Sequence, residues 1–115
     1  MTLAIVFALL VVAHALADYP LQGEFLSKAK NRKSPIPGVP WYQALGAHSL
    51  IHGGFVGVIV GTLNPVAGLV LGTLETIAHF AVDDAKCQGR ISYNLDQALH
   101  LGCKIAWVAI LAVTA

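Results

Sequence analysis

Apolar residues in this 115-residue chain come in four long runs, not in strand-like alternation. The runs cover about residues 2–18, 42–63, 65–84 and 94–114. A helix needs roughly 17–25 predominantly apolar residues to cross a bilayer, and all four runs meet that length, the first only just. Strands open to lipid would leave backbone groups unpaired, so runs of this kind predict helices. The expected fold is all-α: an integral membrane bundle of about four transmembrane helices in a single domain, residues 1–115. Pro20 closes the first run, and Asn64-Pro65 marks a turn between the second and third. Trp41 and Tyr42 stand at the start of the second run, as interface anchors do.

The first run has a second reading. The stretch TLAIVFALLVVAHALA before Asp18 resembles a signal peptide with an A-x-A cleavage site. It lacks a basic leader, and cleavage would remove His14, so it is read as a retained helix. The basic loop 19–41 then divides in two. Residues Leu21 to Ala29 are expected as a short amphipathic segment on the membrane surface, and KNRKSPIPGVP as a basic, proline-rich turn. Of the seven lysines and arginines, Lys28, Lys30, Arg32, Lys33, Lys86 and Arg90 fall in this loop or in DDAKCQGRISYN between the last two runs. A four-helix topology puts both loops on one side. The excess of positive charge in cytoplasmic loops places that side inward, in an inner or cytoplasmic membrane, with both termini on the other side. These lysines are read as topology signals and as attraction to anionic headgroups, in preference to a funnel for a phosphate-bearing substrate. Glu24 and Asp84 are read as solvated surface charges.

Composition agrees with the bilayer as solvent. Hydrophobic residues make up 57% and charged ones 11%, against about 25% charged in a soluble domain; mean hydropathy is +0.71. A net charge of +1, with no basic cluster interleaved with aromatics, gives no reason to expect nucleic acid. Cys87 and Cys103 fit no zinc or redox spacing and are read as a loop thiol and a packing thiol. Gly53, Gly57 and Gly61, and then Gly68 and Gly72, recur every four residues, which suits close helix packing within the chain or in a homo-oligomer.

The chemistry lies in the polar residues inside the runs. All five histidines are there. His14 and Asp18, His48 and His52, then Glu75, His79 and Asp83, and finally Asp96, His100 and Lys104 follow one another at intervals of four, so each set shares one helix face. Counting inward from the basic end, Asp18, Asp83 and Asp96 come first. His14, His48, His79 and His100 lie about a turn deeper, and His52, Glu75 and Lys104 a turn deeper again. Ionisable groups inside a membrane are costly and mark functional sites. The expected ligands of a divalent metal are His14, Asp18, His48, His52, His79, Asp83, Asp96 and His100. Zinc is favoured, with iron or manganese as alternatives. Glu75, Lys104, Gln22, Lys86 and Gln97 are expected to support the ligands or form ion pairs, Glu75 with Lys104 above all. The competing account is a metal-free polar network that packs helices or relays protons.

HALADYPLQ, HSLIHG, ETIAHFAVDDAK and DQALH, in that order, resemble the landmarks of a bacterial and phage membrane family catalogued as domain of unknown function 3307. The shared pattern is H-x-x-x-D-[FY]-x-x-Q, H-x-x-x-H, H-x-x-x-D-x-x-K and D-Q-x-x-H. It matches His14, Asp18, Gln22, His48, His52, His79, Asp83, Lys86, Asp96, Gln97 and His100, and leaves out Lys104. The resemblance implies a membrane location and these polar positions, and no reaction.

Three functions fit. The first is a metal-dependent intramembrane hydrolase, with Asp83 or Asp96 as general base and a lipid or lipid-linked substrate from the cytoplasmic leaflet. The second is transport or sensing of a metal ion or proton. The third is a non-enzymatic interaction protein in which the polar ladder is structural.

Overall fold

The computed structural model describes residues 1–114. Five helices follow one another: α1 (Leu3–Asp18), α2 (Gly23–Ala29), α3 (Trp41–Gly61), α4 (Pro65–Cys87) and α5 (Tyr93–Thr114); the described residues contain no strand. Local signals set several ends. The Thr2 hydroxyl accepts from the Ile5 amide at the start of α1. The Asn64 side chain accepts from Ala67 N at the start of α4, with Pro65 in the first turn where its missing N–H costs nothing. The Ser92 hydroxyl accepts from Leu95 N at the start of α5.

α4 runs to Cys87, past the expected end near residue 84. Hydrophobicity falls at Asp83, but nothing there breaks a helix. The break comes at Gly89, whose φ of 75° suits glycine. There Arg90 N donates to Ala85 O and Gly89 N to Lys86 O, the pairing that closes a helix on a left-handed glycine. The extra turn carries Lys86.

α3, α4 and α5 are each long and apolar enough to cross a membrane. α1 has 16 residues, roughly 24 Å of helix, short of a hydrocarbon core of about 30 Å. Together with α2, from which it is bent by 82°, it makes a fourth candidate span. The expected four-helix membrane bundle is thus present as three to four spans.

The spanning helices form a ring in the order α1, α3, α4, α5, each touching its two neighbours, and α2 packs on α3. Glycines fix the closest pair. A Cβ added to Gly68 would lie 2.6 Å from Gly57 O and from Gly61 Cα, and one added to Gly72 would lie 2.8 Å from Gly53 O. The glycine stripes therefore join α3 to α4 within one chain. Gly54 faces open space.

The distribution of polarity is inverted relative to a soluble domain. His48, His52, Glu75, His79, Asp83, Asp96, His100 and Lys104 are buried, while Val58, Val66, Leu69 and Ile77 are exposed. Away from the basic end, the ring is filled by Val6, Leu10, Val56, Val60, Leu71, Trp107 and Leu111.

Candidate metal centre

Intervals of four stack the polar residues on the inner face of each helix, and the ring brings the four faces together. Asp18, in the last turn of α1, is at the focus. Its Oδ1 lies 2.9 Å from His52 Nε2 and 3.3 Å from His48 Nε2, and its Oδ2 lies 3.1 Å from His14 Nε2. The Gln97 amide donates to Asp18 Oδ2 at 3.1 Å and to Asp96 Oδ2 at 3.0 Å, while its carbonyl lies 3.1 Å from His14 Nε2. Gln97 therefore ties α1 to α5.

The rings of His52 and His79 stack with centroids 3.7 Å apart, and those of His79 and His100 at 4.1 Å. Two sets of ligand atoms lie within 4.8 Å of one another and could hold an ion: Asp18, His48, His52 and His79; and Glu75, His79 and His100. Zinc bonds of about 2.0–2.1 Å in tetrahedral geometry put ligand atoms about 3.3 Å apart, close to the spacing around Asp18 Oδ1.

Within the first set, Asp18 and His52 bond to one another, and the two other histidines are unpartnered. Both ring nitrogens of His48 and both of His79 are buried without a hydrogen-bond partner. Leaving such a group unpaired costs about 1–3 kcal/mol each. The second set differs, because Glu75 already accepts from Lys104 Nζ and Trp107 Nε1, each at 2.6 Å. The expected Glu75–Lys104 pair is present, and its Oε1 stands 3.7 Å from His79 Nδ1. Glu75 is thus committed to Lys104 and Trp107 and lies near His79 without a hydrogen bond to it.

Other expected ligands take different positions. Asp83 receives Lys30 Nζ on Oδ2 at 2.6 Å and Lys86 Nζ on Oδ1 at 2.9 Å. The nearest imidazole nitrogens, His48 Nε2 and His79 Nε2, stand 3.6 and 3.7 Å from its Oδ2. Asp96 Oδ1 lies 3.2 Å from His100 Nε2 and has no hydrogen-bond partner. His14 and His100 flank the Asp18 set without joining it. The Gln22 side chain donates to Asp18 O.

Two loop residues depart from expectation. Lys30, read as a topology charge, is buried against Asp83. Asp84, read as solvated, is buried too: Arg32 binds it with two hydrogen bonds at 2.9 and 2.6 Å, and Gln88 adds a third. The Arg32 guanidinium also lies 4.0 Å from the Trp41 ring centre. Glu24 stays exposed and pairs with Lys28. Trp107 extends the polar face of α5 by one step; its spacing of three from Lys104 was the available signal.

A cavity of about 120 Å³ opens above Asp18, lined by Tyr19, Gln22, Lys30, Lys86, Tyr93 and Gln97. No curated protein and no solved structure matches the chain. The family model described as Protein of unknown function (DUF3307) matches residues 6–115, essentially the whole chain, and the chain belongs to that family.

Proposed function

We propose that the chain is a membrane-embedded metalloprotein that holds one divalent ion on Asp18, His48, His52 and His79 and uses it to hydrolyse an ester at the basic end of the bundle. The observation that carries this reading is the Asp18 carboxylate at metal-ligand spacing from His48 and His52, in a cluster where both nitrogens of His48 and of His79 are buried without a hydrogen-bond partner. Imidazole with carboxylate suits zinc first, then iron or manganese.

The cavity above Asp18 favours catalysis over a purely structural site, since it gives water and substrate a way to the ion. Four protein ligands fill a tetrahedral zinc, so catalysis would need a water as a fifth ligand or in place of one of the four; such a water would have its pKa lowered towards ~7 and would supply a nucleophile at neutral pH. Its oxygen would bond to the electrophilic centre of the ester, the ester C–O or P–O bond would break, and the departing oxygen would take a proton. Of the two carboxylates expected as general base, each oxygen of Asp83 faces an ammonium, whereas Asp96 faces none and its Oδ1 has only the His100 imidazole nearby. Asp96 is assigned as the proton acceptor. The apolar plug of Val6, Leu10, Val56, Val60, Leu71 and Leu111 opposes passage of ions through one copy, and so ranks transport below hydrolysis.

The test is turnover of chromogenic phosphate and carboxylate esters by the detergent-purified, zinc-loaded protein. Asp96→Asn should keep the metal and lose about 10²–10⁴-fold in rate, the usual worth of general base catalysis. Metal-loaded protein inert towards every ester, or Asp96→Asn as active as the parent, would contradict the hydrolase.

A further inference from the structure

The cavity above Asp18 is lined by two ammonium groups that a metal site alone does not need. Lys30 reaches it from the end of α2 and Lys86 from the last turn of α4. Lys30 donates to Asp83 Oδ2, and Lys86 forms an ion pair with Asp83 Oδ1. An ammonium carries three N–H donors, and Asp83 is the only hydrogen-bond or ion-pair partner of either among the described residues. Lys30 is 3% exposed, so its remaining protons cannot all turn to bulk water.

Charge points the same way. The two lysines balance Asp18 and Asp83. A divalent ion on Asp18 then adds two positive charges, and Asp96 offsets one of them. The loaded site keeps a net positive charge facing a small polar space.

Size narrows the occupant. Drug-sized ligands occupy roughly 300–1,000 Å³, whereas this cavity offers about 120 Å³. It admits the charged head of a molecule, with the remainder outside. Tyr19 and Tyr93, both exposed, hydrogen-bond to one another through their hydroxyls at its rim, where aromatic residues meet the headgroup layer.

We infer that this cavity binds a phosphoryl oxyanion between Lys30 and Lys86, directly above the ion, so that the ester cleaved is a phosphate ester. The inference rests on the metal reading above. The phosphoryl group could belong to a lipid headgroup or to a soluble phosphate compound; the chemistry of recognition is the same. Lys30 and Lys86 act as substrate-binding residues, and Asp83 holds both ammoniums in place.

Equilibrium dialysis of radiolabelled orthophosphate against the zinc-loaded, detergent-purified full chain tests this, with metal content measured on the same samples. The parent should bind orthophosphate in preference to acetate. Lys86→Gln should weaken binding at least about tenfold, as expected for loss of a hydrogen bond to a charged group, while zinc stays stoichiometric. Lys86→Arg should restore most of it. Phosphatidic acid in mixed micelles displacing the label, where phosphatidylcholine does not, would assign the site to a lipid headgroup; no displacement would assign it to a soluble phosphate. Unchanged binding in Lys86→Gln, equal binding of acetate, or no binding by the zinc-loaded parent would overturn the inference. Failure to retain zinc would instead remove the metal reading. Lysine-dependent orthophosphate binding in that zinc-free protein would still support the cavity.

Discussion

Single residues differ here by what they leave behind when removed. Asp83 is buried against Lys30 and Lys86, and Lys30 has no other partner among the described residues. Asp83→Asn should therefore cost about 3–5 kcal/mol, the usual result of stranding a buried charge. Asp84 pairs with Arg32, which is partly exposed and also rests on Trp41. Asp84→Asn should cost about 1 kcal/mol or less, since water can take over the guanidinium. Denaturant unfolding of both variants in detergent checks the contrast; equal losses would contradict it. The ladder residues were legible in the sequence because spacing by four is a property of one helix. The partners of Asp83 and Asp84 were not. Lys30 and Arg32 lie on a loop, and no periodicity reports where a loop folds back. Lys30 and Lys28 look alike in sequence, yet one is buried and the other exposed.

At the level of elements, runs of apolar residues located every spanning helix, and small residues every four positions located the α3–α4 contact. Whether that contact lay within the chain or between copies depended on which faces met. The structure places Gly68 against Gly57 and Gly61, and Gly72 against Gly53 and Gly57. This contact sets the register that brings His48 and His52 beside His79. Gly72→Ala should push α3 and α4 apart, lower stability by about 1–3 kcal/mol as overpacking does, and weaken metal retention. Gly54→Ala, which meets nothing, should leave both unchanged. Thermal unfolding and metal content of the two variants would separate a packing interface from a neutral stripe. The end of α4 was misjudged because loss of hydrophobicity marks where a helix leaves lipid, and Gly89 marks where it stops.

The whole molecule combines a polar end and a sealed end. Four inner faces supply a histidine–carboxylate cluster beneath a cavity with two lysines, and an apolar plug fills the ring beyond Glu75 and Trp107. The all-α membrane architecture and the convergence of the ladder followed from pattern alone. The cavity did not, because its lining comes from the end of α1, from the residues on either side of α2, and from α4 and α5, and α2 turns by 82° from α1. The division of labour among carboxylates was also hidden: Asp18 faces imidazoles, Asp83 faces ammoniums and Glu75 accepts from Lys104 and Trp107. Sequence spacing treats these three acids alike.

The central claim is that the Asp18 cluster holds a metal ion. Elemental mass spectrometry of the detergent-purified protein, never exposed to chelator, beside His48→Ala/His79→Ala tests it most directly. The account predicts one zinc, iron or manganese per parent chain, lost in the double variant while helix content is kept. Intact parent protein with no metal would contradict it and leave the ladder as a polar packing network.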